Sequence, residues 1–129
     1  MDTTSAANTL NTWLAAISSR NIDKVVSLYA DNAVLWGTFA QSLNRDREGI
    51  RDYFVNLLNP ASVNVSVDEL HHRELADDVA IANGSYTFEL AETKDAEVRS
   101  VAARFSFVFQ HTGGTWQIVD HHSSQFPAT

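Results

Sequence analysis

Asp120, His121 and His122 form a run of side chains that could carry acid–base chemistry. Imidazole titrates near pH ~6.5, so a histidine in a pocket can take up or release a proton at neutral pH. Neighbouring strand residues point to opposite faces, so Asp120 and His122 should share one face and His121 should share the other with Val119 and Ser123. We predict Asp120 and His121 as catalytic residues. A hydrogen-bonded structural cluster is the alternative interpretation.

Metal binding is a further interpretation of the same run. The chain has no cysteine, which removes thiolate ligands and nucleophiles. Three ligands from the run alone would need a bulge, although a pair from one face could be completed by His71, His72 or Glu69. Adjacent histidines on a strand diverge, so we predict neither a metal site nor a cofactor.

Arg104 lies in a strand of phenylalanine and valine, where a charge needs an anionic or hydrogen-bonding partner. Phe105, Phe107 and Phe109 would occupy the opposite face of that strand. If helices cover only one face, three phenylalanines on the free face form an apolar patch that soluble monomers avoid. The pattern therefore predicts a homo-oligomer, a dimer or larger, through the outer sheet face, with Arg104 inside. In the alternative, the phenylalanines face the helices and Arg104 lies outside.

The elements that must position these side chains begin with helices. An apolar stripe at Leu10, Trp13 and Ile17 predicts a first helix, capped by one of residues 3–5. A second short helix should run to about residues 30–32. A third should begin near Asp46 and end before Pro60. Between the last two, we predict a short strand over 33–36 and a loop over 37–47.

After Pro60, apolar residues alternate with polar ones, which indicates strands. Helices followed by a meander of strands are typical of an α+β domain. We predict one α+β domain over 1–129, with N-terminal helices packed across a strongly bent antiparallel sheet and a pocket between them. The predicted strands lie near 63–67, 80–88, 101–110 and 115–123.

The charge of the chain excludes some partners. The net charge is −7 and the nine Lys and Arg residues are scattered, so we expect no nucleic acid or anionic membrane partner. The N-terminus lacks the pattern of a signal peptide, and no apolar run approaches the ~20 residues of a membrane span. We expect a cytoplasmic protein.

The order of several short segments resembles the nuclear transport factor 2-like superfamily, which includes SnoaL-like polyketide cyclases, ketosteroid isomerase and scytalone dehydratase. Within it, the sequence is most similar to stand-alone relatives of the calcium/calmodulin-dependent protein kinase II association domain. That similarity lies in the Tyr-Phe-Val-Asn-Leu run from Tyr53 and in the terminal strand from Trp116. The wider resemblance is carried by residues 13–17, 21–23, 28–34, 50–54 and 114–124.

The resemblance implies that N-terminal helices and a strongly curved antiparallel sheet form a cone with a pocket, and it suggests which residues line that pocket. Arg104 and Tyr53 match pocket residues of the association domain, while Tyr86 and Ser123 stand where it has further arginines. Ligand-binding candidates are therefore Arg104, Tyr53, Tyr86, His122 and Trp36. Steroid isomerisation is not expected, because the residues at the isomerase's catalytic tyrosine and two aspartates are Trp13, Gly37 and Arg104.

Three functions remain open from the sequence. The first is an oligomeric small-molecule-binding domain for a small anionic or carbonyl-bearing ligand. The second is a cofactor-independent cyclase, dehydratase or isomerase that uses a His/Asp pair. The third is a pure oligomerisation module. Catalysis is favoured if Asp120 or His121 faces the cavity beside a tyrosine, binding if Arg104 dominates the pocket, and assembly if side chains such as Trp36 fill it.

Overall fold

The computed structural model describes residues 5–127, and within them the chain forms three helices and five strands. The first helix begins where Ser5 Oγ accepts a hydrogen bond from the Asn8 amide at 3.2 Å; the other two candidate caps, Thr3 and Thr4, lie outside the described residues. No helix in this part of the chain is long and apolar enough to span a membrane. The elements are α1 (Ala6–Ser18), α2 (Ile22–Ser27), β1 (Tyr29–Trp36), α3 (Arg47–Leu57), β2 (Ser62–Ala76), β3 (Val79–Ala91), β4 (Arg99–Thr112) and β5 (Thr115–Gln125).

The five strands form one sheet in the order β1-β5-β4-β3-β2. Strands β2 to β5 make the predicted antiparallel meander. β1 instead pairs with β5 in parallel, with Leu35 opposite His121 and Trp36 opposite His122. The α+β cone is confirmed, but its sheet is mixed. No short hairpin joins β1 to β5, so loop geometry does not force them to run antiparallel.

β1 begins earlier than predicted. The second helix was expected to continue to about residue 30, but α2 ends at Ser27 and Tyr29 is already in a strand. Partners distant in sequence satisfy the backbone here: the Ile118 amide donates to the Leu28 carbonyl at 2.8 Å, and Arg47 Nη2 donates to the Tyr29 carbonyl at 2.8 Å. Sheet pairing therefore replaces helical hydrogen bonds at this point.

A bend in the β2–β3 hairpin gives the sheet part of its curvature. The ladder changes register between Val67 and Glu69, opposite the stretch of β3 that contains Gly84. A Cβ at Gly84 would lie 1.9 Å from the Glu69 carbonyl oxygen, so only glycine allows the two backbones to approach this closely. Such bulges increase local twist and curve the strand.

The phenylalanines of β4 face the helices. Phe105, Phe107 and Phe109 are at most 4% exposed, and the Phe107 ring packs edge-on against Trp13 with centroids 5.3 Å apart. The prediction that they form the outer face is wrong, and the alternative orientation is confirmed. Physically, a curved sheet leaves a deep space beneath the helices. Large side chains on β4 fill it beside small ones on β3, where Ala82 pairs with Phe107.

Phe107→Ala should therefore destabilise the individual subunit. We expect a loss of about 3–5 kcal/mol in the free energy of unfolding, measured by urea denaturation, because a fully buried ring is removed. Val108→Ala, on the opposite face of the same strand, is the matched control and should cost clearly less. Similar losses for both variants would contradict the assignment of the inner face.

Candidate functional site

A bulge in β5 directs His121 into the cone. Val108 of β4 pairs with Asp120 and Phe109 pairs with Ile118, so Val119 has no partner in this ladder. The extra residue allows both Ile118 and His121 to be buried although they are three positions apart. Asp120 consequently points outwards.

His121 is hydrogen-bonded through both ring nitrogens. Its Nδ1 lies 2.8 Å from the hydroxyl of Tyr29, and its Nε2 lies 3.1 Å from the hydroxyl of Tyr86. Trp13 Nε1 donates to the same Tyr29 hydroxyl at 3.1 Å. The imidazole stacks on Phe107 with centroids 3.8 Å apart. Four elements, α1, β1, β3 and β5, therefore contribute to one buried polar network.

The donors and acceptors available in this network determine which group donates each hydrogen bond. A neutral imidazole has one N–H and one acceptor nitrogen. Tyr29 already accepts from Trp13, so its own proton finds an acceptor only if Tyr29 donates to Nδ1. Nε2 then carries the hydrogen and donates to Tyr86. The chain runs Trp13 → Tyr29 → His121 → Tyr86, and the phenolic proton of Tyr86 is directed towards the cavity, where the hydroxyl groups of Ser123 and Thr38 are within its reach.

Burial keeps all three groups uncharged. Desolvation lowers the pKa of His121 to about 3, with a smaller contribution from the neighbouring His122. Desolvation also raises the pKa of Tyr29 and of Tyr86 above the usual value for a phenol. At neutral pH the network therefore consists of a neutral imidazole and two protonated phenols.

A small cavity lies against Tyr86 and His121. Its volume is about 10 Å³, enough for about one water molecule. Thr38 and Ser123 border it and share a hydrogen bond between their hydroxyl groups. The lining residues are Trp13, Leu35, Gly37, Thr38, Tyr53, Phe54, Leu57, Tyr86, Phe88, His121 and Ser123.

A larger cleft lies on the outer side of Tyr53. Its volume is about 540 Å³, within the usual range for small-molecule sites. Tyr53 and Leu57 line both spaces, so the cleft and the inner cavity share one wall. The cleft is bordered by Phe39, Ala40, Gln41, Ser42, Asn44, Gly49, Asp52, Tyr53, Asn56, Leu57, Pro60, Leu90, Glu92 and Arg99.

The structure brings together three of the residues predicted from the sequence. His121, Tyr86 and Tyr53 line the inner cavity. Their roles in binding or catalysis stay predictions. Asp120 is exposed on the other face, so it cannot pair with His121 inside the cone, and the expected His/Asp pair is wrong.

The other three predicted ligand-binding residues lie on the outer face of the sheet. Arg104 is exposed, with its guanidinium carbon 6.0 Å from the centre of the Phe126 ring. His122 is exposed and stacks on Trp36, which is 40% exposed, with centroids 6.2 Å apart. The expectation that they line the cone is wrong, because the adjacent residues on each strand occupy the inner face.

Sequence reasoning missed Tyr29 and Thr38 as polar components of the site. Tyr29 fitted a helical apolar stripe, and Thr38 lay in a predicted loop. Both meet β5 only through the parallel pairing of β1, for which the sequence carries no local signal. Among residues 5–127, no three His, Asp or Glu side chains come together in a way that could hold a metal ion.

Comparisons with known proteins agree with this architecture. A family model described as a SnoaL-like domain matches residues 6–129. A structure from Xanthomonas campestris, named for the calcium/calmodulin-dependent protein kinase II association domain, is 36% identical with a TM-score of 0.88, covering 95% of this chain and 86% of that chain. No curated protein matches.

More distant structures share the fold alone. A protein from Streptomyces avermitilis, named for a dehydratase of the NTF2-like family, is 12% identical with a TM-score of 0.83, covering 95% of this chain and 94% of that chain. A ketosteroid isomerase-like protein from Erwinia carotovora atroseptica is 14% identical with a TM-score of 0.77, with the same coverage of 95% and 94%.

The depressed pKa of His121 predicts a pH dependence of stability. An unfolded histidine gains a proton below pH ~6.5, whereas folded His121 stays neutral down to about pH 3. Between these values the unfolded state binds more protons, so stability falls as pH is lowered, by on the order of 1 kcal/mol per pH unit from this residue. His121→Gln should flatten the decline, measured by urea denaturation from pH 7 to pH 4.

His122→Gln is the matched control for this measurement. It removes a histidine from the next position, on the exposed face, and should alter the slope far less. An identical slope in the wild type and His121→Gln would contradict a neutral buried imidazole.

Proposed function

This chain belongs to the SnoaL-like domain family, and we propose that it binds a small uncharged molecule through a carbonyl or hydroxyl oxygen at the inner end of its cone. The observation that carries this proposal is the convergence of four hydroxyl groups on one cavity. They belong to Thr38, Tyr53, Tyr86 and Ser123.

The charge distribution favours an uncharged ligand. None of the eleven residues that line the inner cavity in the described part of the chain is an acid, a lysine or an arginine. Arg104, the expected anchor for an anion, lies outside. A charged group entering this cavity would lose its hydration without meeting an opposite charge, which is costly. Of the two ligand classes suggested by the sequence, the carbonyl-bearing one is therefore favoured.

Tyr86 supplies the hydrogen bond that would hold such an oxygen. It accepts from His121, and its own proton points towards the cavity, where Ser123 and Thr38 are nearby. A ligand oxygen would take this proton in place of the Ser123 or Thr38 hydroxyl group, at a phenol whose desolvation cost was already incurred on folding. Because the inner cavity holds only about 10 Å³, the oxygen end enters it and the ligand body occupies the cleft of about 540 Å³.

Cofactor-independent isomerisation or dehydration is the second candidate. It is favoured by a neutral His121 that faces the cavity between two phenols, an arrangement suited to polarising a carbonyl group. A base is harder to identify, because both nitrogens of His121 are engaged and Asp120 faces away. The names of the dehydratase and isomerase-like structures add support from the fold alone. His121 meets the condition that favoured catalysis from the sequence, and Arg104 does not meet the one that favoured binding. Binding still ranks above catalysis, because no base with an unoccupied nitrogen or carboxylate lines the inner cavity in the described part of the chain.

A panel of ligands separates these possibilities. Small cyclic ketones and alcohols should raise the Tm of the wild type by mass action, whereas carboxylates of similar size should not. Tyr86→Phe should reduce the shift, because it removes the donor while keeping the ring. Exchange of ketone α-protons for deuterium, catalysed by the wild type and lost in His121→Gln, would favour the enzyme instead.

Arg104→Ala is the control in this panel. Since Arg104 lies on the outer face, the variant should respond to ketones as the wild type does. A Tm shift produced by carboxylates and abolished by Arg104→Ala would overturn the proposed site.

We also propose that two copies associate through the outer sheet face. The phenylalanine stripe no longer supports this, but other exposed apolar side chains do. Trp36 is 40% exposed and Phe126 is 51% exposed. Val108 is half-buried on the same face of β4, where it pairs with Asp120 of β5. Apolar surface of this kind is typical of an interface.

Trp36→Glu should therefore shift the protein from dimer to monomer. Light scattering at micromolar concentration measures the change, which is expected because the variant places a charge within an apolar contact. Leu75→Glu, at another exposed apolar position near the β2–β3 turn, should leave the mass unchanged. A wild type that is already monomeric would rule out the interface.

A further inference from the structure

The geometry points to Tyr53 as a gate that separates the surface cleft from the inner cavity and selects which part of a ligand can reach Tyr86. The ligand part of this inference rests on the proposed function. The access part does not, because it concerns only the path to the cavity.

Tyr53 lies between the cleft and the inner cavity and separates them. It lines the cleft of about 540 Å³ on one side and the cavity of about 10 Å³ on the other. Leu57, the only other residue that lines both spaces in the described part of the chain, is 8% exposed and belongs to the core beneath α3. Tyr53 is half-buried, so its ring has solvent-filled space to move into.

Gly37 leaves space for the Tyr53 ring in its observed position, which is the closed position of the gate. A Cβ at Gly37 would lie 2.2 Å from Cζ of Tyr53 and 2.6 Å from its hydroxyl oxygen. No side chain fits between that backbone and the ring, so the phenol lies directly on the peptide of Gly37. Any residue larger than glycine would push the ring away from the end of β1.

Polar contacts with Thr38 and Phe39 hold the Tyr53 ring in this position, and these contacts are called the latch below. The Phe39 amide donates to the Tyr53 hydroxyl at 3.3 Å, which is long for such a bond. The side chain and backbone of Thr38 also lie within its reach, and Thr38 is hydrogen-bonded to Ser123 on β5. The latch therefore belongs to residues 37–39, which leave the sheet edge after β1; Gly37 and Thr38 border the inner cavity, and Phe39 borders the cleft.

Opening this gate changes what the site can hold. With Tyr53 closed, a water-sized group fits beside Tyr86. With the phenol swung into the cleft, the two spaces merge, and a slender oxygen-bearing group can reach Tyr86 while an apolar body lies against Phe39 and Leu90. The inferred ligand is a ketone or alcohol at the narrow end of an apolar ring or chain. Branching next to that oxygen should exclude the ligand unless Tyr53 is made smaller.

Trp13 provides a reporter that needs no ligand. It is 1% exposed and lines the inner cavity. In a Trp36→Phe, Trp116→Phe background, Trp13 is the remaining tryptophan of the chain. Its quenching by acrylamide measures access of a small neutral molecule to the cavity. We expect weak quenching with Tyr53 intact, and a severalfold larger quenching constant in Tyr53→Ala and in Gly37→Ala.

Two control variants distinguish opening of the gate from a general loss of packing in the protein. Asn56→Ala alters the cleft but not the inner cavity, and it should leave quenching unchanged. Val25→Ala destabilises the core away from both spaces and should also leave it unchanged while the protein stays folded. If Tyr53→Ala folds poorly, Tyr53→Phe serves instead: it keeps the ring, loses the latch and should give an intermediate increase.

The outcomes distinguish the gate from the proposed function. Quenching that is equal in the wild type, Tyr53→Phe and Gly37→Ala would overturn the gate whether or not a ligand binds. Increased quenching supports it, even if no ketone or alcohol raises the Tm, a result that would count only against the proposed ligand class. Where a ketone does bind, Tyr53→Ala should gain affinity for α-branched ketones relative to unbranched ones, and an unchanged ratio would refute size selection.

Discussion

Hydrogen bonds join four elements of the fold around the ring of His121. Through Tyr29 the ring joins β5 to β1, through Tyr86 it joins β5 to β3, and Trp13 connects α1 to the same chain of hydrogen bonds. These groups are buried, so an unmade bond would leave a polar atom without water and cost about 1–3 kcal/mol. The network therefore specifies how α1 packs on the sheet more stringently than apolar packing alone, which tolerates exchange of similar side chains.

The same network determines the chemistry that the cone offers. Both nitrogens of the imidazole are occupied and burial disfavours its charged form, so the site is built from neutral donors and acceptors. Phenols with a raised pKa hold their protons and act as hydrogen-bond donors. A site of this kind matches an uncharged oxygen. No acidic residue in the described part of the chain lines the inner cavity, and Asp120 faces solvent on the outer side of the sheet.

Local periodicity was enough to predict the three helices, the four strands after Pro60 and the α+β class, because each rests on spacing within a short stretch, whereas the cone was implied by the family resemblance. Contacts between residues far apart in the sequence could not be predicted from local periodicity. The faces of β4 were assigned from how much surface three helices could cover, and the depth of the cone, which accommodates Phe105, Phe107 and Phe109, was underestimated. The prediction that Arg104 lies inside the cone was wrong for the same reason, because Arg104 is on the face of β4 opposite these phenylalanines. The parallel pairing of β1 brings Tyr29 and Thr38 to the site, and no local pattern encodes a partner some ninety residues away.

The unpaired residue at position 119 has a consequence for how this strand can vary in length. Ile118 and His121 are both buried, and Asp120 between them is exposed. Removing Val119 would leave an ordinary alternating strand with every flanking side chain on its present face. Loss or gain of a residue between His121 and Ser123 has no such compensation, since one of the two would have to exchange the interior for solvent. Related chains should therefore differ by a single-residue gap at the bulge and keep a constant length beyond it.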